Sequence, residues 1–142
     1  MIQCVSLTAP LKVPDLRKIS EHMPFNQLLG IRIMRRHSDG VTIECKIREE
    51  LLNIAGVVHG GVLASMADTA MGIGLHNHFG GRRAITTTEM KINYLRPVKH
   101  GKAVARSHIL RAGKKLCVGR VDMFDGERKL AAVAIVTYMI LE

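Results

Sequence analysis

The stretch NIAGVVHGGVLASMADTAMGIG, from Asn53 to Gly74, constrains this chain more than any other. From about Val58 to His76 it predicts one helix that is apolar nearly all round, and such a helix is buried rather than laid on a surface. Its small residues, Gly60, Gly61, Ala64, Ser65, Ala67, Ala70, Gly72 and Gly74, allow close backbone contacts. Asp68 is its only acid, and a lone carboxylate is costly to bury.

The flanking sequence supplies what covers that helix. VPDLRKISEHM, residues 13–23, predicts a short amphipathic helix ended by Pro24. GIRIMRRH and GVTIECKIR alternate apolar and polar residues, with Ile31, Ile33, Val41, Ile43, Cys45 and Ile47 inward and Ser38-Asp39-Gly40 as the hairpin turn. After the long helix come four strand-like runs: Ala84–Leu95, Lys102–Arg111, Leu116–Phe124 and Lys129–Ile140. Turn residues separate them. The order predicts an α+β domain with one antiparallel sheet. At 142 residues, with no linker, repeat or low-complexity tract, residues 1–142 read as a single domain.

Composition removes several function classes. The net charge of +9 attracts polyanions in general. The basic residues are scattered, however, and aromatics make up only 4% with no Trp, so stacking platforms for single strands are missing and no nucleic-acid partner is expected. Cys4, Cys45 and Cys117 lack metal or disulfide spacing, which points to free thiols in a cytoplasmic protein. No signal peptide is read at the start, and the longest apolar stretch is too interrupted for a bilayer. His76 and His78 have no further ligand at suitable spacing, so no metal site is expected. Ser65 lacks the elbow of a serine hydrolase.

The motif N-x-x-G-x-x-H-G-G, with an Asp eight residues after the first of the paired glycines, sharpens the reading. Asn53, Gly56, His59, Gly60, Gly61 and Asp68 fill it, followed by TTEMKINYLRP from Thr87 to Pro97 and RAGKKL from Arg111 to Leu116. This composite resembles the hotdog-fold acyl-CoA thioesterases, within them the phenylacetate-degradation and 4-hydroxybenzoyl-CoA thioesterase-like branch. The resemblance covers almost the whole chain. It implies a curved antiparallel sheet wrapped around one long buried helix, hydrolysis of an aryl or short- to medium-chain acyl-CoA, and a homodimer with shared active sites, assembled as a dimer of dimers. It also implies that Asn53 positions the thioester or the water, and that Thr87 stands where relatives carry the hydroxyl that holds the water. CoA belongs to the substrate, so no separate cofactor is expected.

The chemistry can be read from the residues as well. The first amides of a helix lack intrahelical partners, and the helix dipole favours negative charge there. The Gly60 amide is therefore a candidate donor to the oxyanion of a thioester under attack, with Gly61 beside it against the substrate. Asp68 serves as general base or as nucleophile. His59 fixes the loop through a backbone hydrogen bond rather than acting as a base. Gly60 and Asp68 are about 12 Å apart along a helix at about 1.5 Å per residue, so one thioester carbon cannot reach both in one chain. Two antiparallel copies would bring Asp68 of one to Gly60 of the other.

Arg96, Lys99, Arg111, Lys114 and Lys115 are candidates to hold the CoA phosphates. Phe25, Leu28, Leu63 and Met71 are candidates to line the acyl end. Two further classes fit the fold. A hotdog hydratase or dehydratase would pair His59 with Asp68. A non-catalytic acyl-CoA-binding regulator would need no acid at 68.

Overall fold

The computed structural model describes residues 22–141. Its elements are α1 (Pro24–Leu29), β1 (Ile31–His37), β2 (Gly40–Lys46), a 3-10 turn (Glu49–Leu51), α2 (Gly60–His78), β3 (Ala84–Tyr94), β4 (Lys102–Ala112), β5 (Leu116–Phe124) and β6 (Leu130–Leu141). The six strands form one antiparallel sheet in the order β1-β2-β4-β5-β6-β3. α2 packs across its inner face, against β2 and β4 above all. This is the α+β hotdog arrangement expected from the sequence.

The helix expected over 13–23 lies almost wholly outside the described residues. Within them His22 is helical and Met23 is extended, so helical conformation stops just before Pro24, as expected. Pro24 also opens α1, as suits a residue with a preset φ and no N–H to satisfy. Gly30 ends α1 in the left-handed region at φ 71°, returning its N–H to Asn26 and Gln27.

Close approach between helix and sheet depends on small residues on both sides. The inward positions of β4 and β6 include Ala103, Ala105, Ala132 and Ala134, all fully or almost fully buried. The helix sets Met66, Met71 and Leu75, all fully buried, against these small positions, and Ile43 on β2 and Met123 on β5 complete the large core side chains. Each contributes roughly 1.5–3 kcal/mol of hydrophobic stabilisation. Gly119 in β5 makes room for one of them, since a Cβ there would stand 2.0 Å from the Met71 sulfur.

The tightest point is where α2 crosses the start of β2. Gly74 lies against Gly40, with a Cβ at Gly74 only 3.2 Å from the Gly40 Cα. The buried Ser107 hydroxyl, on β4, donates to the Ala70 carbonyl at 2.9 Å and accepts from the Val41 amide at 3.0 Å. One side chain thus ties helix and sheet together.

Gly40→Ala tests this crossing. Its Cβ would fall 2.0 Å from the Ser107 carbonyl oxygen, on backbone that cannot move independently. Chemical denaturation should show a loss of about 2–3 kcal/mol, the upper part of the range for overpacking. A variant as stable as the wild type would contradict the tight crossing.

Candidate active site

The loop before α2 is closed on itself. Leu52 and Val58 form an isolated bridge, the Asn53 amide donates to Val57 at 2.8 Å, and the Val58 amide donates to Val98 at 2.7 Å. That pairing holds Val58 outside the helix, so α2 starts at Gly60 rather than at Val58. The Asn53 side-chain oxygen accepts from the Ala55 and Val57 amides at 2.9 and 3.3 Å. This leaves its Nδ2 free as a donor among the described residues.

His59 is the N-cap residue, and its Nδ1 accepts from the Gly61 amide at 2.9 Å. The Val62 amide returns to the His59 carbonyl. The Gly61 amide is thus committed, and the Gly60 amide is the one in this pair with no acceptor among the described residues. Tyr94 covers the outer side of the turn, donating from its hydroxyl to the Gly60 carbonyl at 2.9 Å. Gly60, Asn53, Leu63 and Arg96 line one cleft of about 310 Å³.

Asp68 lies two turns further on, over the inner end of β3. Both the Thr87 hydroxyl and the Tyr138 hydroxyl donate to its Oδ1, each at 2.7 Å. The Thr87 proton therefore goes to the carboxylate in this structure. The Tyr138 oxygen is also 2.8 Å from the Asp68 main-chain carbonyl. Burial, with Asp68 next, pushes the Tyr138 phenol well above its ordinary value, so it remains a donor. Asp68 borders a separate cavity of about 180 Å³, with Ile73, Ile85, Tyr138 and His76 among its walls. Burial pushes the His76 imidazole down, which favours its neutral form.

Which threonine faces inward is decided by a β-bulge. β3 pairs with β6 through Thr87↔Tyr138 and then Glu89↔Thr137, leaving Thr88 as the extra residue. Thr87 and Met90 therefore share the inner face, while Glu89 is turned outward and exposed. Tyr138 had one available signal in the sequence. It is the polar-tipped residue in an otherwise aliphatic inward series, Ala132, Ala134, Val136 and Ile140. Tyr94, at the end of β3, offered only its place in an alternating strand.

The two halves of the expected site stay apart within one chain. α2 runs antiparallel to β3, with Gly60 at Tyr94 and Asp68 at Thr87, and the two clefts share no residue. The basic candidates divide likewise. Arg96 lines the Gly60 cleft and Lys99 a groove beside it. Arg111, Lys114 and Lys115 stand where β4 turns into β5, at the end of the sheet where β3 begins.

None of these five makes an ion pair among the described residues, whereas Lys102, Arg106, Arg120 and Lys129 do. Of the acyl-end candidates, Leu63 reaches the Gly60 cleft. Phe25 and Leu28 are exposed on α1, and Met71 is buried beneath Gly119 as core.

Comparison with known proteins covers the same region. The sequence pattern of the thioesterase superfamily matches residues 55–132, more than half of the chain. The medium/long-chain acyl-CoA thioesterase YigI of Escherichia coli is 30% identical over 134 residues, covering 84% of this chain and 86% of that one. Among solved structures, a thioesterase from Haemophilus influenzae aligns with a TM-score of 0.84 at 23% identity, over 94% of this chain and 93% of that one. The PaaI protein of the E. coli phenylacetic acid degradation operon aligns with a TM-score of 0.81 at 22% identity, over 88% and 89%. The last two speak for the fold. The family pattern spans the helix that carries the open Gly60 amide and Asp68, and with a 30% identical relative aligned over most of both chains, this chain belongs to the thioesterase superfamily.

Proposed function

We propose that the protein hydrolyses an acyl-CoA to the free acid and CoA, at a site shared between two antiparallel copies of α2. The observation that carries this reading is the pairing on one helix of an open N-terminal amide with a hydroxyl-bound carboxylate two turns away. Each is one half of a thioester-cleaving site. Asp68 of one subunit then works against Gly60 and Asn53 of the partner subunit.

As a base, the carboxylate takes a proton from water while the water oxygen adds to the thioester carbon. Charge gathers on the carbonyl oxygen, where a fixed amide stabilises it without reorganisation. The C–S bond then breaks and the thiolate recovers the proton. As a nucleophile, the carboxylate adds to the same carbon, CoA leaves, and water opens the mixed anhydride. Neither route needs a cofactor. Asn53 Nδ2 is free to hold the thioester, and the His59–Gly61 contact keeps the first turn in shape.

The unpaired Arg96 and Lys99 at one end, with Arg111, Lys114 and Lys115 at the other, meet at one site when the chains run antiparallel. They support a clamp on the CoA phosphates. The small, largely apolar cavity beside Asp68 favours an aryl or short- to medium-chain acyl group, while the likeness to YigI favours a longer one. No described helix is long and apolar enough to cross a membrane, and the substrate would be met in the cytoplasm. A hydratase is disfavoured because His59 Nδ1 is already committed to Gly61 and lies at the far end of the helix segment from Asp68. A panel of acyl-CoA and enoyl-CoA substrates separates thiol release from water addition.

Asp68→Asn keeps the size of the side chain and removes its charge. Its turnover on the best acyl-CoA of that panel should fall at least about 100-fold, with the fold intact by circular dichroism. Retention of a tenth of wild-type activity would remove Asp68 from the chemistry.

The shared site is tested by mixing Asp68→Ala chains with Asn53→Ala chains, each inactive alone. A mixed dimer contains one intact site, so random exchange should restore about a quarter of wild-type activity. No recovery, with exchange shown by mass spectrometry, would place the site within single chains.

The phosphate clamp predicts a KM for acyl-CoA that rises with salt, because exposed charge pairs are screened over about 8–10 Å. A truncated thioester without the nucleotide should show a higher KM and little salt response. A salt-independent KM for the full CoA ester would leave the positive charge as a solvated surface.

A further inference from the structure

We infer that Tyr138 is a positioning residue that, together with Thr87, holds one oxygen of Asp68 and leaves the other as the oxygen that reacts. This rests on the reading of Asp68 as the group that attacks or activates.

Oδ1 of Asp68 receives two hydroxyl protons, from Thr87 and Tyr138. No donor reaches Oδ2 among the described residues. A free carboxylate can turn about its last torsion and exchange its two oxygens. Two donors converging on Oδ1 from adjacent strands prevent that exchange. They come from register partners, because the bulge at Thr88 sets Thr87 beside Tyr138.

The phenol also reaches the main-chain carbonyl of Asp68, so it grips both the side chain and the helix backbone from which it projects. Gly72 makes this approach possible. A Cβ there would stand 3.0 Å from the phenol oxygen, and the Gly72 amide faces the same oxygen.

Packing alone does not explain a tyrosine here. The residue is 5% exposed and follows Ala132, Ala134 and Val136 along the inner face of β6. Phenylalanine would fill the same space without the cost of burying a hydroxyl. What the hydroxyl adds is a charge-assisted hydrogen bond to a carboxylate. The consequence is preorganisation. Oδ2 takes the proton from water, or forms the bond to the thioester carbon, from a fixed direction.

The test is Tyr138→Phe, with Thr87→Ser and Thr87→Val for comparison. Tyr138→Phe should lower kcat about 10- to 100-fold while KM changes less than about threefold, since misplacing a reacting group by about an ångström costs on that order. A purely structural role would not split kcat from KM in this way. Thr87→Ser keeps a donor and should lose clearly less kcat than Thr87→Val. Thr87→Val should behave like Tyr138→Phe.

Gly72→Ala keeps the phenol but crowds it, so it should lower kcat in the same direction even if Tyr138→Phe folds poorly. Wild-type kcat in Tyr138→Phe or Gly72→Ala, while Asp68→Asn is inactive, would overturn this inference alone. Activity in Asp68→Asn would instead overturn the reading of Asp68 on which it rests.

Discussion

A carboxylate carried by a buried helix has to find donors, and the other features of this protein's site are arranged around that requirement. Asp68 cannot obtain them from its own helix, whose amides are spent on the carbonyls of the preceding turn. It obtains them from hydroxyls on β3 and β6, which lie beneath it. The demand therefore reaches beyond the helix. The bulge at Thr88 turns Thr87 inward to meet it, and a tyrosine stands among small aliphatic residues on β6 to meet it from the other strand. Only one oxygen receives donors in this way among the described residues, and Asp68 borders a cavity.

The helix can come so close to the sheet because small residues stand at the points of contact. Alanines and Gly119 on the sheet accept methionines and Leu75 from the helix, and Gly40, Gly74 and Ser107 form the point of nearest approach. This packing fixes the rotation of α2 about its axis. Asp68 consequently meets Thr87 and Tyr138 rather than the aliphatic core, and the first turn is left at the sheet edge beside Tyr94. Stability and site geometry here have the same cause.

The charge of the chain divides in a similar way. On the outer face of the sheet, Asp39 is held by Arg106 and, next, by His108. Its carboxyl is drawn down to about 2, mainly by the Arg106 hydrogen bond. Arg106 is thereby occupied. Arg96 and Lys99 near Gly60, and Arg111, Lys114 and Lys115 near the start of β3, make no ion pair among the described residues. Antiparallel pairing of two chains would bring those two groups together.

The sequence by itself determined the elements and the chemistry of the helix. An all-round apolar segment with a single acid has to be wrapped, and alternating runs with turn residues between them can wrap it only as an antiparallel sheet. The spacing of Gly60 and Asp68 is a matter of helical rise and needed no coordinates. The strand order, the helix opened by Pro24 and the bulge at Thr88 belonged to tertiary structure, because each depends on which partner a segment meets rather than on its own pattern. Period-two alternation cannot reveal a bulge, so Thr86, Thr87 and Thr88 were indistinguishable until β6 set the register. The backbone hydrogen bond of His59 is local and was legible in the sequence, whereas the grip of Tyr138 on Asp68 across 70 positions of chain was decided only by the folded structure. Local sequence specifies which groups need partners, but a hydrogen bond between distant residues forms only where packing brings the donor to the acceptor.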